Sequence, residues 1–307
     1  MFKLLLLGLL AAALFSSNFV LNRAMSLGGG HWVWSASLRY AETALLLAGW
    51  LLLRRGGEYL TGVLRLFLRR WVFWVLAGGT GYGVFYACLC FAADHAPAWI
   101  TASTYQVTIL MTPLVLRAFG RRVPVRGIVF LVLIFLGIIV INADRIFGGL
   151  SMAQVLAGVV PATIAAIAYP VGNQMLNEAR YADGDESQYL KDAFTSVLLL
   201  TVGSLPVFAA LVVVTRPPAP TVQQISATTV IAVLAGCGAT TLFIYARNLS
   251  NDPYRIAVVD ATQAGEAVFT LIGEMLILGA AWPDVPGWVG FAAMVTGLLG
   301  LALWPRA

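Results

Sequence analysis

The chain is dominated by long apolar runs, which are separated by short breaks that are charged or contain glycine and proline. A helix needs roughly 20 consecutive apolar residues to cross a bilayer core, whereas a membrane barrel shows alternating segments of about ten residues. The runs therefore predict an all-α membrane protein with ten transmembrane helices. The predicted spans are residues 4–22, 32–53, 71–93, 98–117, 125–142, 151–175, 192–214, 225–246, 255–279 and 286–304.

Composition excludes several other classes of protein. With 60% hydrophobic and 11% charged residues, the chain lies outside the range of soluble globular domains. Its net charge of +5 does not indicate nucleic-acid binding, because the basic residues lie in short loops between apolar spans. Three cysteines and two histidines offer no metal-ligand spacing, and the chain has no glycine-rich phosphate-binding loop. We therefore expect neither a cofactor nor ATP hydrolysis.

The distribution of lysine and arginine predicts the orientation of the spans. Of the nineteen basic residues, fifteen fall in alternate loops on one side, three fall on the opposite side, and Arg39 lies within a span. The side with the excess is expected to be cytoplasmic, which places both termini in the cytoplasm of a bacterial-type inner-membrane protein. The first apolar run continues past Phe15 through Leu21, so we interpret it as a retained helix rather than a cleaved signal peptide.

A weak internal repeat divides the chain into two halves. The tetrapeptide VLAG occurs at residues 75–78 and again at 233–236, and each copy is followed at the same distance by an aspartate, Asp94 or Asp252. This similarity predicts two five-helix repeats, residues 1–147 and 148–307. Because each half has an odd number of spans, the second half would be inverted relative to the first, with substrate sites near the midplane between them. The sequence is compatible with a monomer or a homodimer.

Polar side chains inside the spans are the candidate functional residues, since a charge at the centre of a membrane helix costs at least about 2.5 kcal/mol. Span nine is the richest. At 100° per residue, Asp260, Gln263, Glu266, Thr270 and Glu274 share one helix face and would form one wall of a polar cavity. Glu266, near mid-span, can exchange a proton or serve as the counter-charge of a cationic substrate. The alternative is a structural hydrogen bond between helices.

Span two carries two opposite charges three residues apart. Arg39 and Glu42 are neighbours on one helix face, where they can neutralise each other as an intrahelical ion pair. They can also hold the two charges of a zwitterionic solute. Both interpretations remain open from the sequence.

Spans one and six carry polar residues at the same spacing. Asn18 and Asn22 lie four residues apart in span one, as do Tyr169 and Asn173 in span six. The two spans occupy corresponding places in the predicted repeats. These side chains are candidates for substrate contact, and hydrogen bonding between helices would explain them equally well.

Aromatic residues add a third group of candidates. Tyr82 and Tyr86 lie four residues apart in span three, and Tyr105 belongs to a stripe of hydroxyl groups in span four. Aromatic rings suit an amphipathic or cationic ligand through cation–π contact. Close helix packing through the neighbouring glycines is the alternative.

Two stretches carry a resemblance to a known family. The sequence SSNFVLNR at residues 16–23 and the sequence DATQAGEAVFTLIGE at 260–274, together with ten spans in two halves, resemble the drug/metabolite transporter superfamily. The branch they resemble is that of the putative multidrug resistance efflux transporters, which are related to the EamA-type permeases. The resemblance implies an inverted-repeat fold, a central cavity lined by spans one, three, four, six, eight and nine, and alternating access.

The sequence thus predicts a secondary transporter that moves small organic, cationic or amphipathic solutes across the inner membrane. The expected direction is efflux, with protons as the candidate coupling ion. One alternative is a carrier of an amino acid, nucleoside, sugar conjugate or lipid precursor, and another is a non-transporting membrane receptor. We do not expect an enzyme, because His95 beside Asp94 is the one candidate catalytic pair and it lacks a third partner.

Overall fold

The computed structural model describes residues 1–96, 98–121, 125–141, 152–181, 187–278 and 285–303. Within these ranges the regular structure is helical and no strand occurs. The helices are α1 (Phe2–Leu27), α2 (Trp32–Arg55), α3 (Gly57–Arg69), α4 (Trp71–Gly78), α5 (Phe85–His95), α6 (Ala98–Tyr105), α7 (Thr108–Ala118), α8 (Val125–Ile141), α9 (Met152–Tyr181), α10 (Ser187–Leu190), α11 (Ala193–Thr215), α12 (Val222–Ile231), α13 (Thr240–Asn248), α14 (Pro253–Ala261), α15 (Ala264–Leu278) and α16 (Val285–Leu303).

Seven helical segments in the described ranges are long and apolar enough to cross a membrane. They are Phe2–Leu27, Trp32–Arg55, Trp71–His95, Leu156–Tyr181, Ala193–Thr215, Val222–Asn248 and Pro253–Ile277. Three shorter apolar helices, Thr108–Ala118, Ile128–Val140 and Val285–Gly300, coincide with predicted spans four, five and ten. The predicted ends at 142, 151, 279 and 304 lie outside the described residues. The chain is therefore an all-helical, multi-pass membrane protein.

Side-chain caps determine where several helices begin. Asp192 accepts a hydrogen bond from the Phe194 backbone N–H at 2.9 Å and starts α11. Asp252 does the same for Tyr254 at 2.9 Å and starts α14, with Pro253 in the first turn. Such caps satisfy backbone donors that have no partner within the helix. The tight turns between apolar runs therefore follow from local sequence.

The helix α3 corrects the sequence analysis, which treated residues 54–70 as a loop. Val63 and Leu66 of α3 are buried, whereas Arg65 and Arg69 are exposed on its other side. This is the pattern of a helix that lies along a membrane interface with its charged face toward water. The residues 54–70 are too short and too charged to span a bilayer, which is why they were read as a connection.

Predicted spans four and nine are interrupted, although both were expected to be continuous. The α6–α7 pair breaks at Gln106 and Val107, and the α14–α15 pair breaks at Thr262 and Gln263. At both breaks the backbone switches to bonds between residues three apart, such as Gln263 N–H to the Asp260 carbonyl at 3.1 Å. No proline or glycine lies at the first break, whereas Gly265 takes part in the second, where its N–H donates to the Thr262 carbonyl at 2.9 Å.

Two π-helical segments occur inside predicted spans three and eight, at Gly79–Val84 and Ala232–Ala239. The first follows the VLAG copy at 75–78 directly, and the second contains the copy at 233–236. The first connects α4 to α5, and the second connects α12 to α13. π-helical turns are rare and are often found at functional sites.

The helices pack in a regular pattern. Helix α1 lies against α15 and against the span formed by α12, the second π segment and α13. Helix α9 lies against α6 and α7 and against the span formed by the first π segment and α5. Helix α2 packs on α11, and α8 packs on α16.

Glycine allows the closest of these contacts. Where α9 crosses the first π segment, Gly81 and Gly172 meet, and a Cβ atom on Gly81 would lie 2.7 Å from the Cα of Gly172. Gly78 faces α11 in the same way, since its Cβ would lie 2.9 Å from the backbone nitrogen of Ser204. No larger residue fits at these positions without moving the helices apart.

Candidate functional site

The residues predicted as site candidates gather in the interior of the helix bundle. All of them except Glu42, which is half-buried, have less than 6% of their surface exposed. They are Asn18, Asn22, Arg39, Tyr82, Tyr86, Tyr105, Tyr169, Asn173, Asp260, Gln263, Glu266 and Glu274. Burial of so many polar groups is costly unless they are paired or serve a ligand.

Five tyrosines form a continuous tyrosine row through this interior, in the order Tyr86, Tyr40, Tyr82, Tyr169 and Tyr105. Their ring centroids are separated successively by 5.4, 5.8, 6.4 and 6.3 Å. The row joins α5, α2, the first π segment, α9 and the end of α6. Spacings in this range are typical of interacting aromatic pairs.

Two asparagines of α1 are tied to one end of the tyrosine row. Asn22 donates from Nδ2 to the Tyr86 hydroxyl at 2.9 Å, and that hydroxyl donates to Asn18 Oδ1 at 3.2 Å. Asn18 and Asn22 therefore form hydrogen bonds between helices, which is one of the two roles that the sequence left open for them. Asn173 differs, because neither its Oδ1 nor its Nδ2 has a hydrogen-bond partner among the described residues.

Arg39 lies at the same end of the tyrosine row. Its Cζ atom sits over the Tyr86 ring at 4.1 Å from the centroid and over the Tyr40 ring at 4.5 Å. Only 2% of Arg39 is exposed, and its Nε and Nη1 atoms have no hydrogen-bond acceptor in the described part of the chain. Cation–π contact therefore accounts for its position but leaves donors unused.

The structure does not form the ion pair between Arg39 and Glu42 that the sequence left as one of two interpretations. Glu42 Oε1 accepts hydrogen bonds from the hydroxyls of Thr228 at 3.3 Å and Thr229 at 3.2 Å, on α12. Spacing along one helix makes the pair possible, but α12 offers Glu42 neutral partners at a less buried position. Arg39 turns instead toward the aromatic interior.

A buried ion pair joins two helices at another level of the bundle. Arg247 of α13 pairs with Asp260 of α14, and both side chains are 4% exposed. Thr112 of α7 donates a further hydrogen bond to Asp260 Oδ2 at 3.1 Å. Asp260, predicted as a substrate or proton ligand, thus has its charge matched within the protein. The sequence analysis placed Arg247 in a loop, where it was counted only for topology.

Glu266 lies at the opposite end of the tyrosine row from Arg39. It belongs to the first turn of α15, directly after the break at Thr262 and Gln263. It is 2% exposed, and its carboxylate interacts electrostatically with Tyr105 and Tyr169. No hydrogen bond or ion pair connects its side chain to another residue in the ranges that the structure describes.

Two clefts lie away from the tyrosine row. A cleft of about 830 Å³ is bordered by α2, the start of α11 and the second π segment, and Arg55 and Asp192 lie at its rim. An apolar cleft of about 530 Å³ lies between α2, α3 and α11. Neither is lined by a residue of the tyrosine row. The row is therefore closed, with its members at most 4% exposed.

Comparison with known proteins identifies the family. The sequence pattern of the EmrE family, described as putative multidrug resistance efflux transporters, matches residues 2–306. The chain belongs to this family of transporters. The resemblance seen in residues 16–23 and 260–274 is therefore confirmed over nearly the whole chain.

Two relatives of this EmrE-family chain match it over most of its length. The uncharacterized protein YjlA of Bacillus subtilis (strain 168) is 32% identical over 313 residues, covering 97% of this chain and 93% of YjlA. An uncharacterized 42.1 kDa protein from the intracellular alkaline protease 3′ region of Shouchella clausii is 35% identical over 288 residues, covering 89% of this chain and 73% of that protein. A solved crystal structure superposes with a TM-score of 0.71 at 17% identity, covering 98% of this chain and 96% of its own. This last likeness concerns the fold alone.

Three interior residues of this EmrE-family chain were not found by sequence reasoning. Tyr40 completes the tyrosine row, Gln106 has both amide atoms buried without a partner in the described structure, and Arg247 neutralises Asp260. The role of Arg247 could have been predicted, because Asp260 is a buried aspartate that requires a nearby cation, and only a tight turn separates the two helices. Tyr40 and Gln106 show no comparable signal, since tyrosine and glutamine are common at helix–helix contacts.

Proposed function

We propose that this chain is a secondary transporter of the inner membrane that exports small cationic or amphipathic organic solutes in exchange for protons at Glu266. The observation that carries the proposal is a buried carboxylate without a protein partner in the described structure, close enough to Tyr105 and Tyr169 to interact with them electrostatically. Aromatic rings and a carboxylate together suit a cation, and a carboxylate can alternate between binding a proton and binding that cation.

The interruptions of the spans support a site at this level. Glu266 follows the break between α14 and α15, and the tyrosine row ends at the break between α6 and α7. Irregular backbone at membrane depth is tolerated where it is buried or lines a cavity, and broken helices commonly form the sites of secondary transporters. The closed tyrosine row then corresponds to an occluded state, from which either face opens.

We also propose that residues 1–147 and 148–307 are two inverted five-helix repeats. Support comes from the main packing contacts of α1 and α9, which follow the same pattern when each helix is exchanged for its counterpart. Helix α1 contacts the span with the second π segment and the span with the second break. Its counterpart α9 contacts the span with the first π segment and the span with the first break. Helices α2 and α11 are counterparts that pack on each other, as are α8 and α16, so the exchange leaves these two contacts in place. Five spans per half also place both termini on one side, which we take to be cytoplasmic.

Transport in proteoliposomes tests the function. We would measure uptake of tyramine, choline and ethidium into vesicles with and without an acidic interior, comparing the native chain with Glu266→Gln. Glu58→Gln is the matched control, because Glu58 is an exposed glutamate of α3. An acidic interior should accelerate cation uptake by the native chain and by Glu58→Gln, because protons leave as cations enter, and it should have no effect on Glu266→Gln.

Two results would contradict the proposal in different ways. Gradient-driven uptake that persists in Glu266→Gln would show that the coupling group lies elsewhere. Failure of the native chain to move any solute in either direction would contradict the proposal that it is a transporter.

A further inference from the structure

We propose that the transported solute is amphoteric, and that Arg39 binds its carboxylate or phosphate-type oxyanion at the end of the tyrosine row opposite Glu266. The inference rests on the proposed function and specifies the class of substrate that the same site accepts. It starts from the guanidinium group that the cation-export proposal leaves unexplained.

The first step is the cost of burying Arg39. A guanidinium removed from water without a carboxylate partner is among the most expensive groups that a protein can bury. Arg39 is 2% exposed, and its Nε and Nη1 hydrogens meet no acceptor among the described residues. Contact with Tyr86 and Tyr40 recovers part of the cost, because the face of an aromatic ring attracts a cation in a desolvated site. These contacts do not explain why the Nε and Nη1 hydrogens are buried without an acceptor.

The second step is that no acid of the described structure pairs with Arg39. Glu42, the neighbour on the same helix, accepts from Thr228 and Thr229 at Oε1, and its buried Oε2 has no partner in the described part of the chain. Asp260 is paired with Arg247, and Asp94 accepts from Ser26 at 2.9 Å. Arg39 forms no ion pair with a described residue, in contrast to Arg247, which is buried to a similar degree.

The third step is the geometry of the contact with Tyr86. A guanidinium lying over a ring uses its flat face, whereas its N–H bonds lie in its plane and point outward from the edge. The N–H groups of Arg39 without an acceptor are those of Nε and Nη1, which lie on different edges of the guanidinium, so each is available for one hydrogen bond. An oxyanion is the acceptor that suits such a donor best, because the hydrogen bond is then charge-assisted at both ends.

The fourth step places the opposite charge. Glu266 lies at the far end of the tyrosine row, next to Tyr105 and Tyr169, and has no cation partner in the described structure. A solute with an oxyanion for Arg39 and an ammonium group for Glu266 supplies both missing counter-charges. It reaches them only after the tyrosine row, which is closed in this structure, has opened.

Pairs of probes that differ only in an oxyanion isolate the contribution of that group to transport. We would measure transport of tyrosine against tyramine, and of phosphocholine against choline, in proteoliposomes of the native chain, Arg39→Gln and Arg39→Lys. Arg65→Gln is the control, since Arg65 is an exposed arginine of α3. Loss of charge-assisted hydrogen bonds should reduce the transport of at least one amphoteric probe relative to its cationic partner by about 10- to 100-fold in Arg39→Gln. Arg65→Gln should keep the native ratio.

The lysine variant keeps the test valid if the glutamine variant fails to fold. Arg39→Lys retains the positive charge but loses the planar guanidinium with its N–H donors, so it should keep part of the preference for the amphoteric probe. Whether the tyrosine pair or the phosphocholine pair responds distinguishes a carboxylate from a phosphate.

Three outcomes would overturn the inference. If the native chain moves tyramine and choline but neither amphoteric probe, the proposed function stands and the role of Arg39 is wrong. If Arg39→Gln and Arg39→Lys slow all four probes equally, Arg39 only positions Tyr86. If the native chain moves none of the probes, the inference fails together with the proposed function.

Discussion

Breaking the buried pair between Arg247 and Asp260 should destabilise the protein strongly. In Asp260→Asn the guanidinium of Arg247 stays buried, at 4% exposure, while its counter-charge is removed. Loss of one partner of a buried ion pair costs about 3–5 kcal/mol, because the remaining charge is uncompensated. The hydrogen bond from Thr112 can persist to the new amide oxygen, so we expect a loss near 3 kcal/mol.

A double-mutant cycle isolates the pair. We would unfold the native chain, Asp260→Asn, Arg247→Met and the double variant with SDS in mixed micelles, following helix content by circular dichroism. The double variant leaves no buried charge at this position, so it should be more stable than the sum of the single losses predicts, by about 2 kcal/mol or more. Additive losses, or single losses below about 1 kcal/mol, would refute the argument that this pair is desolvated.

Three further predictions concern other contacts. Gly172→Ala should reduce stability by about 1–3 kcal/mol in the same unfolding assay, because the new methyl group overlaps the backbone of Gly81, and a neutral result would show that the two helices can separate. Tyr86→Phe should cost about 1–3 kcal/mol because it leaves two buried amides of α1 without their hydroxyl, and unchanged stability would mean that water replaces it. Arg55→Ala should change stability by less than about 1 kcal/mol, because Arg55 is 57% exposed in its pair with Asp192, and a larger loss would indicate a less hydrated interface.

The places of the seven long apolar segments could be predicted from the sequence because each reflects the thickness of a bilayer. The polar face of span nine could also be predicted, since helical periodicity places Asp260 and Glu266 on one side, and both are buried in the structure. Burial of these groups follows from the same cost that keeps charges away from lipid. Composition and periodicity were thus sufficient for the polar face of span nine, but not for Tyr40, Gln106 and Arg247.

Other features depend on contacts between distant segments. The break at Gln106 lacks the proline or glycine that usually marks an interruption, so local sequence cannot reveal it. Gly265 lies beside the break at Gln263, but a single glycine is tolerated within a helix and does not by itself predict a break. The partner of Arg39 stayed open because spacing of three along a helix permits an ion pair without requiring it. Arg247 was assigned to a loop because its predicted span ended one residue earlier, which shows how far a small boundary error can change the interpretation of a charge.

The meeting of Gly81 and Gly172 has a consequence for motion. These residues belong to different halves of the chain, and they touch through backbone atoms alone. Side chains that interdigitate must exchange rotamers when two helices turn past each other, and a pair of glycines has no rotamers to exchange. Rotation about this point therefore meets little resistance from packing, so a close contact between the two halves of the chain can also serve as a pivot between them.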